Sequence, residues 1–329
     1  MATLKDVARE AGVSIASASH ALNGTKPVSD ALRRRVQAAA DAVGYVPHAQ
    51  ARSLRTGRSR TLGVLLPDLG NPFFPALLQA VCGAANEAGY GTLVADAGGS
   101  GEGERAALEL LAAQRVDGVV WAPRDVPCEP PDLPTVTVDR TAEGCDGVVS
   151  DHRGTGRVLA RHLQAAGRTR PVVLDGPSRV PSARERSAGF REAWDGTVAY
   201  EAEVPFDHRL PAEVRDALTG GTVEFDAVVC ANDAIALGVL RLLHRSGRGV
   251  PDDVAVVGVD DIAFAELAEP ALTTVRQPLG ELGQEAVRLL IERIEGREGP
   301  PRRVTLPVEL IVRGSSPELV PAEGEGRTR

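Results

Sequence analysis

From residue 61 to about residue 258, short apolar runs alternate with segments of helical period, and this rhythm restricts the fold more than any other feature of the chain. Residues 61–67 (TLGVLLP) read as a buried strand, followed by a helix over 72–88. Strands are expected at 92–95, 118–122, 135–138 and 148–150, with a helix at 102–114. The pattern then runs helix 154–166, strand 171–174, helix 183–194, strand 198–204, helix 211–218, strand 227–230, helix 234–246 and strand 254–258. A last helix is expected over 279–295 and a last strand near 304–312. Runs that are apolar throughout, joined by helical crossovers, belong to parallel sheets covered on both faces. About a dozen strands are too many for one simple sheet, so two lobes follow.

Composition closes off several classes. With 43% hydrophobic residues over 329 positions, the chain can build a large core in two or three domains, which excludes disorder. No stretch approaches the roughly 18 uncharged apolar residues a membrane span needs. The opening residues carry charges where a signal peptide would be apolar, so a cytoplasmic protein is expected, with no membrane partner. Cys82, Cys128, Cys145 and Cys230 lie far apart without a C-x-x-C pair, and the six histidines form no ligand spacing. No metal and no cofactor is therefore expected.

Charge is divided unevenly. Residues 1–60 hold ten Lys/Arg against four Asp/Glu, while the remainder holds 27 against 41. A basic head on an acidic body suits a polyanion partner for the head alone. Within that head, Thr3-Leu-Lys-Asp6 is a capping signal for a helix through about residue 11, with Leu4, Val7, Ala8 and Ala11 on one face. Gly12 ends it. Ser14 caps a second helix to about Leu22, and Ser29 caps a third over 30–43, closed by Gly44. Two short helices about a tight turn make a helix-turn-helix. The second helix presents a small polar face of Ile15, Ala16, Ser17, Ser19 and His20, which fits a major groove about 12 Å wide. Ser14, Ser17 and Asn23 offer donors to phosphates.

The runs Thr3–Ser14, Ser19-His20-Ala-Leu-Asn23, Gly44-Tyr45-Val-Pro47 and Ala51-Arg52-Ser53-Leu54, in this order and spacing, resemble the lactose/galactose repressor (LacI/GalR) family. The resemblance implies that Ile15, Ala16 and His20 read bases while Ser14, Ser17 and Asn23 hold phosphates. It also implies that residues 48–56 form a hinge helix, too short to be stable alone. Leu54 would wedge a central base step, and Arg52 and Arg55 would touch phosphates. His48 stands where asparagine is common in the family.

Further matches cover the chain to about residue 315: Asp68-Leu-Gly-Asn71-Pro-Phe73-Phe74, Val138-Asp139-Arg140, Ser182 to Phe190, Ala231-Asn232-Asp233, Val257 to Asp261 and Pro270 to Pro278. The implied fold is α/β: an all-α helix-turn-helix head (1–46), a hinge (47–60), and a core (61–315) of two type-1 periplasmic-binding-protein-like lobes. The amino lobe takes about 61–150 and 279–303, and the carboxy lobe about 151–278 and 304–315. Residues 316–329 form a Glu/Gly/Pro-rich tail without leucine heptads, so a homodimer is expected rather than a coiled-coil tetramer. Its contact is expected to include the helix near 71–88 and the 279–295 helix.

Ligands of open α/β sheets bind at the carboxyl ends of strands. Asp139, Asn232 and Asp260 stand at such ends, and Arg186 lies in the helix after strand 171–174. Two carboxylates, an amide and a guanidinium can pair with vicinal hydroxyls, as a sugar presents them. Helix capping by Asp139 or Asp260, a turn role for Asn232 and an ordinary salt bridge for Arg186 are the competing readings. Asn71, Phe73, Phe74, Trp121, Phe206 and Phe264 are expected around the same cleft, where rings stack on a sugar or a base. The resulting reading is a repressor of carbohydrate genes, bound to a palindromic operator on double-stranded DNA and controlled by a sugar-like effector. A purine-type corepressor system is the alternative. A transport binding protein would lack the basic head, and an enzyme would need a nucleophile elbow, metal site or phosphate loop that is absent.

Overall fold

The computed structural model describes residues 2–23, 26–45, 58–124 and 130–318. Arg52, Leu54, Arg55 and the rest of the expected hinge helix lie outside these residues, as do Cys128 and the tail from 319. The chain divides into two compact units, Met1–Ser59 and Arg60–Arg329.

The first unit holds α1 (Leu4–Glu10), α2 (Ile15–Asn23) and α3 (Asp30–Ala42). Each start is capped by the residue the sequence offers there. The Asp6 carboxylate accepts from Thr3 N at 2.9 Å and Thr3 Oγ1 at 2.7 Å. Ser14 Oγ accepts from Ser17 N at 3.1 Å, and Ser29 Oγ from Leu32 N at 3.3 Å. The shared core is Val7, Ala8, Ala11, Ala18, Ala21, Val36, Ala39 and Ala40. Alanines at these positions let three short helices approach closely, but they bury little apolar area each.

The second unit holds two six-stranded sheets. The amino-lobe sheet contains β1 (Thr61–Leu66), β2 (Gly91–Asp96), β3 (Gly118–Trp121), β4 (Thr135–Val138), β5 (Asp146–Ser150) and β11 (Arg303–Leu306), in the order β11-β5-β4-β3-β1-β2. The carboxy-lobe sheet contains β6 (Pro171–Asp175), β7 (Tyr200–Glu203), β8 (Ala227–Cys230), β9 (Ala255–Asp260), β10 (Thr273–Arg276) and β12 (Glu309–Ile311), in the order β12-β10-β9-β8-β6-β7. Every pairing is parallel except β10 with β12. The central strands are buried along their length, which is why they read as continuous apolar runs. The helices are α4 (Phe73–Glu87), α5 (Gly101–Ala113), α6 (His152–Ala165), α7 (Pro181–Ala193), α8 (Ala212–Thr219), α9 (Asp233–Arg245), α10 (Ala263–Leu267) and α11 (Leu279–Ile294).

The chain passes between the sheets three times: after β5, after β10 and after β11. The single strand expected over 304–312 is in fact two. Residues 304–306 pair with β5 in the amino-lobe sheet, so they do not belong to the carboxy lobe as expected, and only β12 joins the other sheet. Pro307, which has no N–H to offer a ladder, sits at the break. The fully buried Asp146 side chain anchors the returning segment, accepting from Arg293 Nη2 and Arg302 Nη2, each at 2.7 Å. The helices α4 and α11 are neighbours. Their apolar sides pack on each other and on the amino-lobe sheet, and a Cβ on Gly283 would meet the Ala80 backbone. These faces are covered inside the chain, so a contact with a second copy through either helix would use its other side.

Candidate functional site

In the first unit, α2 carries its outward residues as a small polar face. Ser14, Ile15 and Ala16 are exposed, and Ser17, Ser19 and His20 are half-buried. The Ser14 and Ser17 hydroxyls lie 2.9 Å apart, so the cap also orients the Ser17 side chain. Asn23 is the last residue of α2, and its side chain lies outside the described set. Arg33, Arg34 and Arg35 stand exposed on α3, with Asp30 3.9 Å from Arg33 as a loose ion pair. Such a face can meet phosphates without burying charge.

In the second unit, Asn71, Phe73, Phe74, Asp139, Arg186, Phe206, Asn232 and Asp260 line one cavity together with Arg140 and Ser182. The free space in it is small, about 10 Å³, room for roughly one water. Each member is set there by its element. Asp139 follows β4 with φ +65°, and Asp260 ends β9 with φ +119°. Both are backbone conformations that cost a non-glycine residue energy and that persist where the surroundings force them. Asn232 caps α9, its side-chain oxygen accepting from Ile235 N at 3.0 Å. The capping role and the cleft role thus coexist in one side chain, because its Nδ2 remains aimed elsewhere.

Arg186 sits within α7, which lies against α6 at backbone distance. Side chains on Gly156 or Gly189 would collide with the Arg186 and Arg153 carbonyls, so only glycine permits this approach. Arg186 Nη1 donates to Ala231 O at 2.8 Å, and its Nη2 lies 3.7 Å from Asp260 Oδ1. The salt-bridge reading is therefore part of the answer, but at a distance too long for a two-pronged pair. Asp139 Oδ2 lies 3.3 Å from Arg140 Nε. On the aromatic side, Phe73 and Phe74 pack edge to face at 5.1 Å, and the Arg140 guanidinium sits 5.7 Å from the Phe74 ring centre.

The electrostatics follow from burial. Burial pushes the Asp260 carboxyl up to about 7, against the pull of Arg186 and of Gln277, whose Nε2 donates to it at 2.7 Å. Asp233 is pushed well above the ordinary carboxylate range by burial and then by the Asp260 charge. Its oxygens accept from Thr274 Oγ1 at 2.6 Å and Ile262 N at 3.0 Å. Burial, then Arg186, pushes the His152 imidazole down to about 4. The neutral ring donates from Nε2 to Asp139 O at 2.9 Å, which helps hold the strained Asp139 backbone. Around this cavity Asp139 Oδ1, Arg186 Nε, Asn232 Nδ2 and Gln277 Oε1 are buried without a hydrogen-bond partner. Buried polar groups left without partners are rare and costly.

Two expectations need correction or extension. Trp121 does not face the cleft: it is fully buried in the amino-lobe core, where its Nε1 donates to Glu104 Oε1 at 2.9 Å. Phe264 is away from the inner cavity, in a neighbouring space. Arg140, Ser182, Gln277 and His152 were not singled out from sequence. Ser182 lies one helical turn before Arg186, and Arg140 directly follows Asp139, so helical spacing and adjacency carried a usable signal. Gln277 and His152 reach the site only through strand order. Among the described residues no cluster of His, Cys, Asp and Glu could hold a metal ion, and no helix is long and apolar enough to cross a membrane.

Residues 3–48 match the family described as bacterial regulatory proteins, lacI family, and residues 160–316 match a periplasmic binding protein-like domain. The chain is 34% identical to the HTH-type transcriptional repressor PurR of Vibrio parahaemolyticus over 97% of this chain and 100% of that one. It is 34% identical to the ribose operon repressor of Escherichia coli over 96% and 100%. Among solved structures, the lac repressor dimer bound to operator and the anti-inducer ONPF matches with TM-score 0.85 and 28% identity, over 96% of this chain and 99% of that one. The transcriptional regulator CelR in complex with cellobiose matches with TM-score 0.71 and 32% identity, over 96% and 100%. With that identity along nearly the whole of both chains, this chain belongs to the LacI family and is a DNA-binding transcriptional regulator rather than an enzyme.

Proposed function

We propose that this chain is a homodimeric repressor of carbohydrate uptake or catabolism genes, holding a palindromic operator and releasing it when a sugar or sugar derivative occupies the cleft. The observation that carries the effector reading is the convergence of Asp139, Arg186, Asn232 and Asp260 on one small cavity, with polar atoms of the first three lacking partners. Vicinal hydroxyls would satisfy such atoms in pairs. The head (1–46) reads the major groove with Ile15, Ala16 and His20 and takes phosphates on Ser14, Ser17 and Asn23. The hinge (47–60) supplies Arg52 and Arg55 to phosphates and Leu54 as the minor-groove wedge. Ligand binding favours one arrangement of the two lobes, and the operator favours the other, so each weakens the other's binding by the same factor. The protein works in the cytoplasm, on the nucleoid while operator-bound, and the tail begins after Ser316, which is buried against His162 and Thr273.

The test combines a thermal-shift screen of sugars, sugar phosphates and purines with gel shifts on a randomised palindrome library. A sugar that raises the melting temperature should release the selected duplex. A protein that ignores every duplex at low salt would remove the repressor reading. The second reading, a purine-type corepressor, is favoured by the similarity to proteins named PurR. A purine that tightens duplex binding, with sugars inert, would select it.

A further inference from the structure

An aliphatic side chain stands in the open on the first turn of α2. Ala18 and Ala21 are buried and Leu22 packs beside them, which fixes the inner side of the helix. The helical period then places two rows on the opposite side, Ile15 with Ser19 and Ala16 with His20. Ile15 is 50% exposed, and Ala16 is exposed next to it. The hydroxyls of the same turn are engaged with the cap: Ser14 Oγ accepts from Ser17 N at 3.1 Å and lies 2.9 Å from Ser17 Oγ. Ile15 and Ala16 bring only methyl and methylene groups to whatever the first turn meets.

In the major groove every base pair shows polar donors and acceptors, and the one apolar group is the 5-methyl of thymine. An aliphatic side chain set against adenine N6, cytosine N4 or guanine O6 takes water from that group and returns no hydrogen bond. Against a thymine methyl it buries apolar surface on both partners. Selection at such contacts therefore has an attractive and a repulsive part. A side chain as short as Ala16 reaches a methyl only where the helix backbone lies close to the bases. The small residues Ala16, Ser17 and Ser19 permit that depth in a groove about 12 Å wide. Resting on the operator reading above, we propose that α2 reads thymine methyl groups: each half-site presents one 5-methyl to Ile15 and a second to Ala16. Hydrogen-bonded readout falls to Ser19 and His20, one turn and about 6 Å further along the helix.

The test uses the effector-free full chain and the tightest duplex selected from the randomised palindrome library. Each thymine is replaced in turn, in both half-sites, by deoxyuridine, which removes only the 5-methyl. Two positions per half-site should respond in a gel shift, by about fourfold for each methyl lost and about 15-fold for the symmetric pair. At those positions 5-methylcytosine should bind better than cytosine by a similar factor. Ile15→Gln and Ala16→Gln should each erase the uracil response at one position, keep it at the other, and favour adenine where it is lost. Melting temperatures should not move, because both side chains are exposed. Equal binding of every uracil-substituted duplex overturns methyl reading and leaves the repressor reading standing, since a duplex was selected. Uracil responses that persist unchanged in both variants overturn it too. Failure to select any duplex at low salt removes the repressor reading and this one with it.

Discussion

The two units solve opposite problems. The head buries mainly alanines around Val7 and Val36. Its short helices gain little from apolar area, and a unit of this size is near the limit of independent stability. Its structure therefore depends on caps such as Ser14 and Ser29, and phosphate contacts would add to its stability by binding only the folded form. The sensor unit has broad cores of valine and leucine on both sheets. That reserve allows it to hold strained aspartates, raised carboxyls and unpartnered polar atoms at the cleft. Stability and specificity are separated in space: the head rests on caps and a small alanine core, while the sensor's broad cores hold two strained aspartates, Asp139 and Asp260, at the cleft.

This contrast can be broken most sharply at Arg186. Arg186→Ala should lower effector affinity by about 10- to 150-fold, given the ~1.5–3 kcal/mol of a charge-assisted hydrogen bond, and leave operator binding by the ligand-free protein intact. Normal induction in that variant would take Arg186 out of the site.

The next effect is on pH. The Asp260 carboxyl is raised to about 7 in the folded state from an ordinary 3.8, so the folded protein holds a proton that the unfolded chain has released. Its contribution to stability is present below about pH 4 and is lost as pH rises to about 7, by at most roughly 1.4 kcal/mol per pH unit. Asp260→Asn should therefore gain melting temperature relative to the parent as pH rises across that window. His152, lowered to about 4 from 6.5, works in the opposite sense over nearly the same range. His152→Asn should lose ground relative to the parent as pH rises from about 4 to 6.5. Parallel melting curves at every pH would show that neither group titrates on unfolding.

Smaller effects belong to the head. Val36 is fully buried among alanines, and Val36→Ala should cost about 2 kcal/mol, enough to melt the head and abolish operator binding. Effector binding should survive, which calorimetry on the same sample would check. Leu54→Ala should weaken operator binding by more than ~1 kcal/mol without changing effector affinity, since a wedge acts only in the kinked duplex. Equal operator affinity in a gel-shift series would refute the wedge.

Much of this was readable before any coordinates. The helix caps at Thr3 and Ser29 and the buried strands from 61 are local patterns, because a cap spans three residues and a strand's apolar run reports its own burial. The placing of Asp139, Asn232 and Asp260 at strand ends needed only the rule that open sheets bind ligands there. What failed did so for tertiary reasons. Trp121 looked like a strand-end aromatic, but Glu104 from α5 supplies its N–H with a partner inside the core. Residues 304–312 looked like one strand, and a single proline hands its two halves to different sheets.

Order along the chain was thus enough to declare the head, the two-lobed frame and the four polar residues most worth testing, since each is specified by neighbours within a few positions. Which atoms are left without partners, how little free space the cavity holds and that Gln277 and His152 brace Asp260 and Asp139 were decided only when the strands took their order. Those facts depend on contacts such as Gln277 with Asp260 and Arg186 with Ala231, 17 and 45 positions apart within one lobe, and on the meeting of two lobes, and no local pattern encodes such distances.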